Sequence, residues 1–364
     1  MCIRDSGKVV FEKSYGYHTY SKKRKVQTSD LYDLASVTKI AAGTLSMMKL
    51  YEEGKVDINQ PASVYLPELN GTNKEKVLIK DMMAHIAGLK SWIPFYEQTV
   101  DKRKKPLAEF YSSKQGSGFD NKVADELFLR SNFEEEIWQQ IYDAPMNTYG
   151  RYVYSDLGFY LVAKLVHRIS GRRIDQYVQE EFYQPLGLSS ITYNPLEKFS
   201  KDQIIPTEDD KYWRQQKVHG YVHDMGAAML NGISGHAGLF STAKDLAVIM
   251  QLFLNGGYYG GRKYLSPETV KVFTQRHPKS TRRGIGFDLF ETDLRRNPNY
   301  SMKASWNTFG HLGFTGTCAW ADPDNKIIYI FLSNRTYPKM NNKKLYGGDF
   351  RPRVQTVIYD ALRK

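Results

Sequence analysis

Leu31-Tyr32-Asp33-Leu34-Ala35-Ser36-Val37-Thr38-Lys39 begins as a short apolar approach and turns, at Ser36, into a helical pattern. Ile40, Leu45, Met48 and Tyr51 recur near helical spacing, so a helix is expected from Ser36 to Glu53, ended by Gly54. Ser36 then lies at a helix N-terminus, where free backbone N–H groups and the helix dipole favour a developing anion. Three residues on, about 4.5 Å along the axis, Lys39 falls on the same face. A lysine desolvated there can shed its proton and accept one from the serine. Taken alone the pattern is weak. S-x-x-K occurs three times, at Ser36/Lys39, Ser46/Lys49 and Ser241/Lys244. Ser46 is mid-helix and Ser241 reads as an N-cap, so position singles out Ser36, although an N-cap role fits Ser36 alone equally well.

Two further stretches supply partners. Arg151-Tyr152-Val153-Tyr154-Ser155-Asp156 stands just before a helical pattern over Leu157–Ile169. Tyr154 could point its hydroxyl into a neighbouring site, where a nearby lysine would lower its pKa and let it shuttle protons. In a chain with 26 tyrosines it could equally be a packing aromatic. Phe309-Gly310-His311-Leu312-Gly313-Phe314-Thr315-Gly316-Thr317 reads as a glycine-kinked strand that a ligand or another backbone approaches closely. Such a strand can offer N–H groups to an oxyanion, and His311 could bind a substrate anion. The plainer alternative is an edge strand with a surface histidine.

Strand signals concentrate at the two ends. Residues 7–20 and 285–290 read as strands, and 317–321 with 327–333 as a hairpin around Asp322-Pro323-Asp324-Asn325. Between them lie helical patterns over 81–87, 132–142, 157–169 and 174–183, with 99–122 as a polar loop. Helices over 243–254 and 353–362 follow. The expected class is α/β (α+β): an antiparallel sheet flanked by helices, formed by 1–60 and 235–364, with a mostly helical region, 61–234, inserted between. Met1–Ser6 has no apolar core behind it and reads as a foreign leader on an N-terminally truncated chain.

The order S-V-T-K, Y-S-D, H-L-G resembles the three-part signature of serine penicillin-binding proteins and β-lactamases, in particular the branch of class C β-lactamases, D-alanyl-D-alanine carboxypeptidases and esterases. Ala84-His85-Ile86-Ala87-Gly88-Leu89, Pro185-Leu186-Gly187-Leu188 and Gly235-His236-Ala237-Gly238-Leu239-Phe240-Ser241-Thr242 extend the likeness over nearly the whole chain from Gly7. The resemblance implies a β-lactamase/transpeptidase-like fold, acylation at Ser36, and Lys39 with Tyr154 as general base. It implies an oxyanion hole from the N–H groups of Ser36 and Phe314 beside Gly313, and His311 in the place of the third-motif lysine. Two departures stand out. Asp156 replaces the usual asparagine where a substrate amide is held, and His311 replaces lysine, weakening recognition of a substrate carboxylate. Both argue against efficient β-lactam cleavage and for an ester or a peptidoglycan-derived amide. The chain is also similar to the C-terminal hydrolase half of bacterial proteins that carry an N-terminal glycoside hydrolase, a β-N-acetylglucosaminidase. That implies a fused partner domain and a place in the bacterial periplasm or cell envelope. The alternative function is a non-catalytic module that binds peptidoglycan or sugar fragments for an attached glycosidase.

Bulk properties bound these readings. The 364 residues carry 51 Lys+Arg against 39 Asp+Glu, a net charge of +12. The basic runs at 22–25 and 102–105 lack interleaved stacking aromatics, so no nucleic-acid partner is expected. Two cysteines exclude a disulfide framework. No segment approaches the ~18–20 apolar residues of a membrane span. No cofactor is expected. A zinc site through His219, His223 and His236 is disfavoured, because Gly220 breaks the helix and no glutamate follows the first histidine.

Overall fold

The β-branched and aromatic runs from both ends of the chain meet in one antiparallel sheet of six strands. The computed structural model describes residues 1–293, 295–296 and 299–362. The strands are β1 (Cys2–Asp5), β2 (Lys8–Glu12), β3 (Asp288–Leu289), β4 (Phe309–Leu312), β5 (Cys318–Asp322) and β6 (Ile327–Phe331), in the order β3-β4-β5-β6-β1-β2. Period-two alternation divides their side chains between two faces. Cys2, Ala319, Ala321, Ile328 and Ile330 belong to the main core. Ile3, Cys318, Trp320, Ile327 and Tyr329 form a second core on the other face. Helix α4 (Ala243–Leu254) covers the first face and helix α5 (Phe350–Leu362) the second, through Val354, Ile358 and Tyr359. The hairpin expected around Asp322-Pro323-Asp324-Asn325 joins β5 to β6, with Asp322 opposite Ile327.

Most of the expected helices form: α2 (Phe133–Asp143), α3 (Leu157–Ser170), α4 and α5, while α1 (Leu45–Glu52) is only the end of a longer helical run. The chain from Ser36 starts as a 3₁₀ turn over Ala35–Val37, widens to π-helical geometry over Lys39–Thr44, and becomes α-helical only at Leu45. Wide turns of this kind recur at functional sites. Gly171, at φ 72°, stops α3.

Cys2–Asp5 is built into the sheet: β1 pairs with both β6 and β2, and Cys2 is fully buried. Four expectations need correction. Of residues 7–20 only Lys8–Glu12 is a strand, because Gly16 turns the chain at φ 76°. The loop at 99–122 holds Tyr111–Ser112 and the start of Asn121–Ala124, which pair with Leu127–Leu129 in a small antiparallel sheet. The helix expected over 81–87 covers Ile79–Met83 and ends before His85, whose φ is 60°. The strand expected over 285–290 shrinks to β3 because Gly286 adopts φ 90°.

Candidate active site

Ser36 is delivered by a strained turn. Ala35, immediately before it, has φ 46°, a left-handed conformation that costs a residue with a Cβ about 1–3 kcal/mol. The surroundings over-determine it. Ala35 N–H donates to Asp33 Oδ1 at 2.8 Å, and His223 N–H to Asp33 Oδ2 at 2.6 Å. Burial pushes the Asp33 carboxyl up, against the pull of those two N–H groups. Leu34 N–H bonds Leu239 O at 2.9 Å. From the β4–β5 turn, Thr315 Oγ1 donates to Asp33 O at 2.7 Å and Thr317 Oγ1 to Leu34 O at 2.9 Å. The turn that carries Phe314 is thereby clamped onto the approach to Ser36.

Lys39 has no exposed surface, and its ammonium group is fully engaged. Nζ donates to Ser36 Oγ at 2.9 Å, to Asp156 Oδ1 at 2.6 Å and to His236 O at 3.3 Å. Burial works to lower its pKa, but the Asp156 carboxylate and the Tyr154 oxygen outweigh burial and leave it raised. Asp156 ion-pairs with Lys39 and opposes the loss of the proton that burial alone would favour. Gly235 permits the third contact. A Cβ there would lie 2.4 Å from Phe159 O, so only glycine lets the segment carrying His236 O pack against α3.

Tyr154 is half-buried at the wall of the cleft, with its phenol in hydrogen-bonding reach of Lys39 and Ser36. Its pKa is raised: burial exceeds the lowering by Lys39, contrary to the shift expected from the sequence. The ring of His85 packs 4.5 Å from the Tyr154 ring, and the Arg283 guanidinium lies 5.3 Å from it. His311 is buried behind the same ring, 3% exposed, and does not line the cleft. Its Nδ1 contacts Leu312 O at 2.7 Å, and a carbonyl only accepts, so Nδ1 carries the proton. Nε2 then accepts from Arg283 Nη1 at 3.4 Å. Burial, with Arg283 and Lys39 nearby, lowers its pKa to about 3. A buried His311 that donates from Nδ1 to a carbonyl presents no cation to the cleft.

The cleft has a volume of about 500 Å³. Ser36, Tyr154 and Asp156 open into it, with Leu312, Gly313 and Phe314 along one side and Trp92 at another. In the turn, Gly313 N–H bonds Thr317 O at 2.8 Å and Gly316 N–H bonds Gly313 O at 3.0 Å, while Phe314 N–H has no acceptor among the described residues. Asp224, also in the wall, accepts from His236 Nε2 at 2.8 Å and is held well below the usual carboxylate range by that histidine, against its burial.

Ser36, Lys39, Tyr154, Asp156, Gly313 and Phe314 thus converge on one cleft from three parts of the chain. Arg283, Asp224 and Trp92 were missed, since each is a single polar or aromatic residue in an unremarkable stretch. Asp224 alone left a trace, as the side chain that caps the short helix Met225–Ala228. The three histidines weighed as zinc ligands diverge. His219 bonds Ile204 O, His223 bonds Glu208 and His236 bonds Asp224. Among the described residues no group of three or more His, Cys, Asp or Glu is arranged to hold a metal, and no helix is long and apolar enough to cross a membrane.

Comparison with known proteins places the chain in a family. The family model described as Beta-lactamase matches residues 1–349. A protein of Salmonella schwarzengrund described as "Putative D-alanyl-D-alanine carboxypeptidase" is 32% identical over 95% of this chain and 80% of its own length. Among solved structures, EstCE1, a hydrolase with promiscuous acyltransferase activity, superposes with a TM-score of 0.69 at 18% identity, over 98% of this chain and 92% of its own. A penicillin-binding protein homologue from Caulobacter crescentus gives 0.65 at 19% identity, over 92% and 85%. At these identities the two structures establish a shared fold.

Proposed function

The chain belongs to the β-lactamase family of serine hydrolases, and from that premise we propose that Ser36 is its nucleophile and that it cleaves an ester or a cell-wall-derived D-amino-acid amide through an acyl-enzyme. The observation that carries this reading is the 2.9 Å contact between Lys39 Nζ and Ser36 Oγ at the floor of the cleft. Ser36 Oγ attacks the acyl carbon while the Lys39–Tyr154 pair manages its proton. The N–H groups of Ser36 and Phe314 receive the oxyanion. The leaving group departs protonated, and water, activated by the same pair, releases the acid.

Substrate class follows from the walls. Leu312, Phe314, Trp92 and Met225 make the cleft largely apolar, which suits an acyl or aryl ester or the small methyl side chain of D-alanine. His311 is buried away from the wall in the place where the family carries a lysine, which weakens recognition of a substrate carboxylate there. The likeness to a described carboxypeptidase supports the D-alanyl amide, and with it action in the bacterial periplasm or cell envelope.

A fluorophosphonate probe followed by mass mapping tests the nucleophile. Wild type should be labelled on the peptide containing Ser36 and should hydrolyse p-nitrophenyl esters, and Ser36→Ala should lose both. Labelling or ester turnover that survives the substitution would refute the assignment. Binding of peptidoglycan fragments without any turnover by wild type would favour the non-catalytic module instead. Parallel assays on short- and medium-chain esters and on a D-Ala-D-Ala peptide would separate the substrate classes.

A further inference from the structure

An ammonium group cannot accept a proton, yet the acylation step requires Lys39 to take one from Ser36. Lys39 Nζ is held between Ser36 Oγ at 2.9 Å and Asp156 Oδ1 at 2.6 Å, with its charge paired to the carboxylate. Asp156 is 18% exposed on its cleft side, whereas the Lys39 side chain is 0% exposed. The second carboxylate oxygen, Oδ2, forms no hydrogen bond among the described residues.

We propose that Ser36, Lys39 and Asp156 form a proton relay in which Asp156 stores the proton that Lys39 must shed before it can act as base. The relay rests on the assignment of Ser36 as nucleophile given above. Substrate entering the cleft strips water from Asp156. Loss of water raises the cost of the separated charges relative to the neutral pair of amine and carboxylic acid. One Lys39 Nζ–H bond then breaks as Asp156 Oδ1–H forms. The amine takes the Ser36 proton: Oγ–H breaks, while Nζ–H and the Oγ–acyl bond form. When the bond from the acyl carbon to the leaving group breaks, Lys39 hands its proton to the leaving oxygen or nitrogen. The proton on Asp156 returns to Lys39, and the ion pair is restored. The sum is serine plus ester or amide giving acyl-serine plus alcohol or amine, with no outside acid or base.

The other ionisable groups around the pair do not duplicate this role. Tyr154 is held in its protonated form by burial, and His85 and His311 are neutral for the same reason. Arg283 is a fixed cation behind Tyr154. Asp224 interacts with Lys39 only at longer range, and its carboxylate is bonded to His236. Asp156 is the one carboxylate hydrogen-bonded to Lys39 among the described residues.

The relay makes a specific prediction for pH. In wild type the proton that Lys39 sheds passes to the carboxylate it is hydrogen-bonded to, so exchange with solvent is not required. Between about pH 8 and pH 5, kcat for ester hydrolysis should change less than about threefold. Asp156→Asn keeps the shape but cannot take the proton. Burial, the largest influence on Lys39, then acts unopposed by that carboxylate, and the amine must be freed by solvent. Turnover by the variant should approach wild type at alkaline pH and fall about tenfold per pH unit below the new limb. The ratio of variant to wild-type kcat should therefore drop at least tenfold from pH 8 to pH 5.

Asp156→Glu should restore a flat profile in part, and Asp156→Ser, a second neutral variant, should behave like Asp156→Asn. Fluorophosphonate labelling rates measured across the same pH range, with thermal melts to confirm folding, give an independent readout. Parallel profiles for wild type and the neutral variants would overturn the relay. So would a folded Asp156→Asn that stays inactive at pH 9, since a free amine should then serve. Residual labelling of Ser36→Ala would instead remove the nucleophile itself, an outcome distinct from either of these.

Discussion

Replacing Gly313 by alanine should cost far more activity than stability. A Cβ at Gly313 would stand 2.0 Å from Thr317 Oγ1 and 2.5 Å from Leu34 O, the two atoms already joined by a 2.9 Å hydrogen bond. Both contacts fall well short of ordinary van der Waals separation, so the β4–β5 turn must lift from the Ser36 approach by about 1 Å. Overpacking of this kind costs about 1–3 kcal/mol, or roughly 2–6 °C in Tm. The same movement carries Phe314 N–H away from the acyl carbon bound at Ser36. Displacement of catalytic groups by about 1 Å is worth on the order of 100-fold in rate. The expected result for Gly313→Ala is therefore a kcat on p-nitrophenyl acetate reduced about 100-fold, with KM changed little. Gly347→Ala is the matched control, since nothing lies within 4 Å of its added Cβ, and it should change neither quantity. A Gly313→Ala enzyme that melts a few degrees lower yet keeps kcat within threefold of wild type would show that the turn does not set the oxyanion donors.

Asp33→Ala strips the acceptors from Ala35 N–H and His223 N–H and frees the left-handed turn before Ser36. A loss of about 2–4 kcal/mol in urea unfolding is expected, together with slower labelling of Ser36 by fluorophosphonate. A variant as stable as wild type would show that the strain at Ala35 is held elsewhere. Acid stability supplies the last prediction. Burial opposes ionisation of Asp288, but Arg283 and Arg282 hold its carboxyl below the usual range. A depressed folded pKa gives stability that is present above the unfolded value and is lost as pH falls through the folded one, so the loss should begin near pH 4. Asp288→Asn should be less stable than wild type at pH 7 by about 3–5 kcal/mol, because Arg282 is left unpaired. It should also lose less stability between pH 5 and pH 3, read from urea midpoints, and an equal acid slope in the two proteins would discount the pair.

The sheet, the helices at 133–143, 157–170 and 243–254, and the β5–β6 hairpin were legible because each has a clear period and a capping or turn residue at its end. Short elements were not. Tyr111–Ser112 and Leu127–Leu129 are too brief for alternation to register, and Gly16, His85 and Gly286 break patterns that composition alone would continue. At the site, motif order and a helix start pointed to Ser36, Lys39 and Tyr154, which the fold gathers at one cleft. The protonation state of that trio was not readable, because it depends on which charge meets which in a buried space. Asp156 was seen as a neighbour of the substrate, whereas its nearest group is Lys39, 117 residues away in sequence. His311 was judged by its residue type, but its enclosure beside Arg283 decides its charge.

The sheet closes between distant ends of the chain: Cys2 pairs with Ile330, and Thr315 clamps Asp33 across 282 positions. β1 can pair with β2 early, but its other edge has no partner until β6 is made. Ser36 and Lys39 are made early, and the turn that carries Phe314, the proposed oxyanion donor, is made far later. The proposed nucleophile therefore depends on contacts with a segment made much later in the sequence. Such long-range pairing also slows folding, because loop closure over hundreds of residues must precede the contacts that reward it.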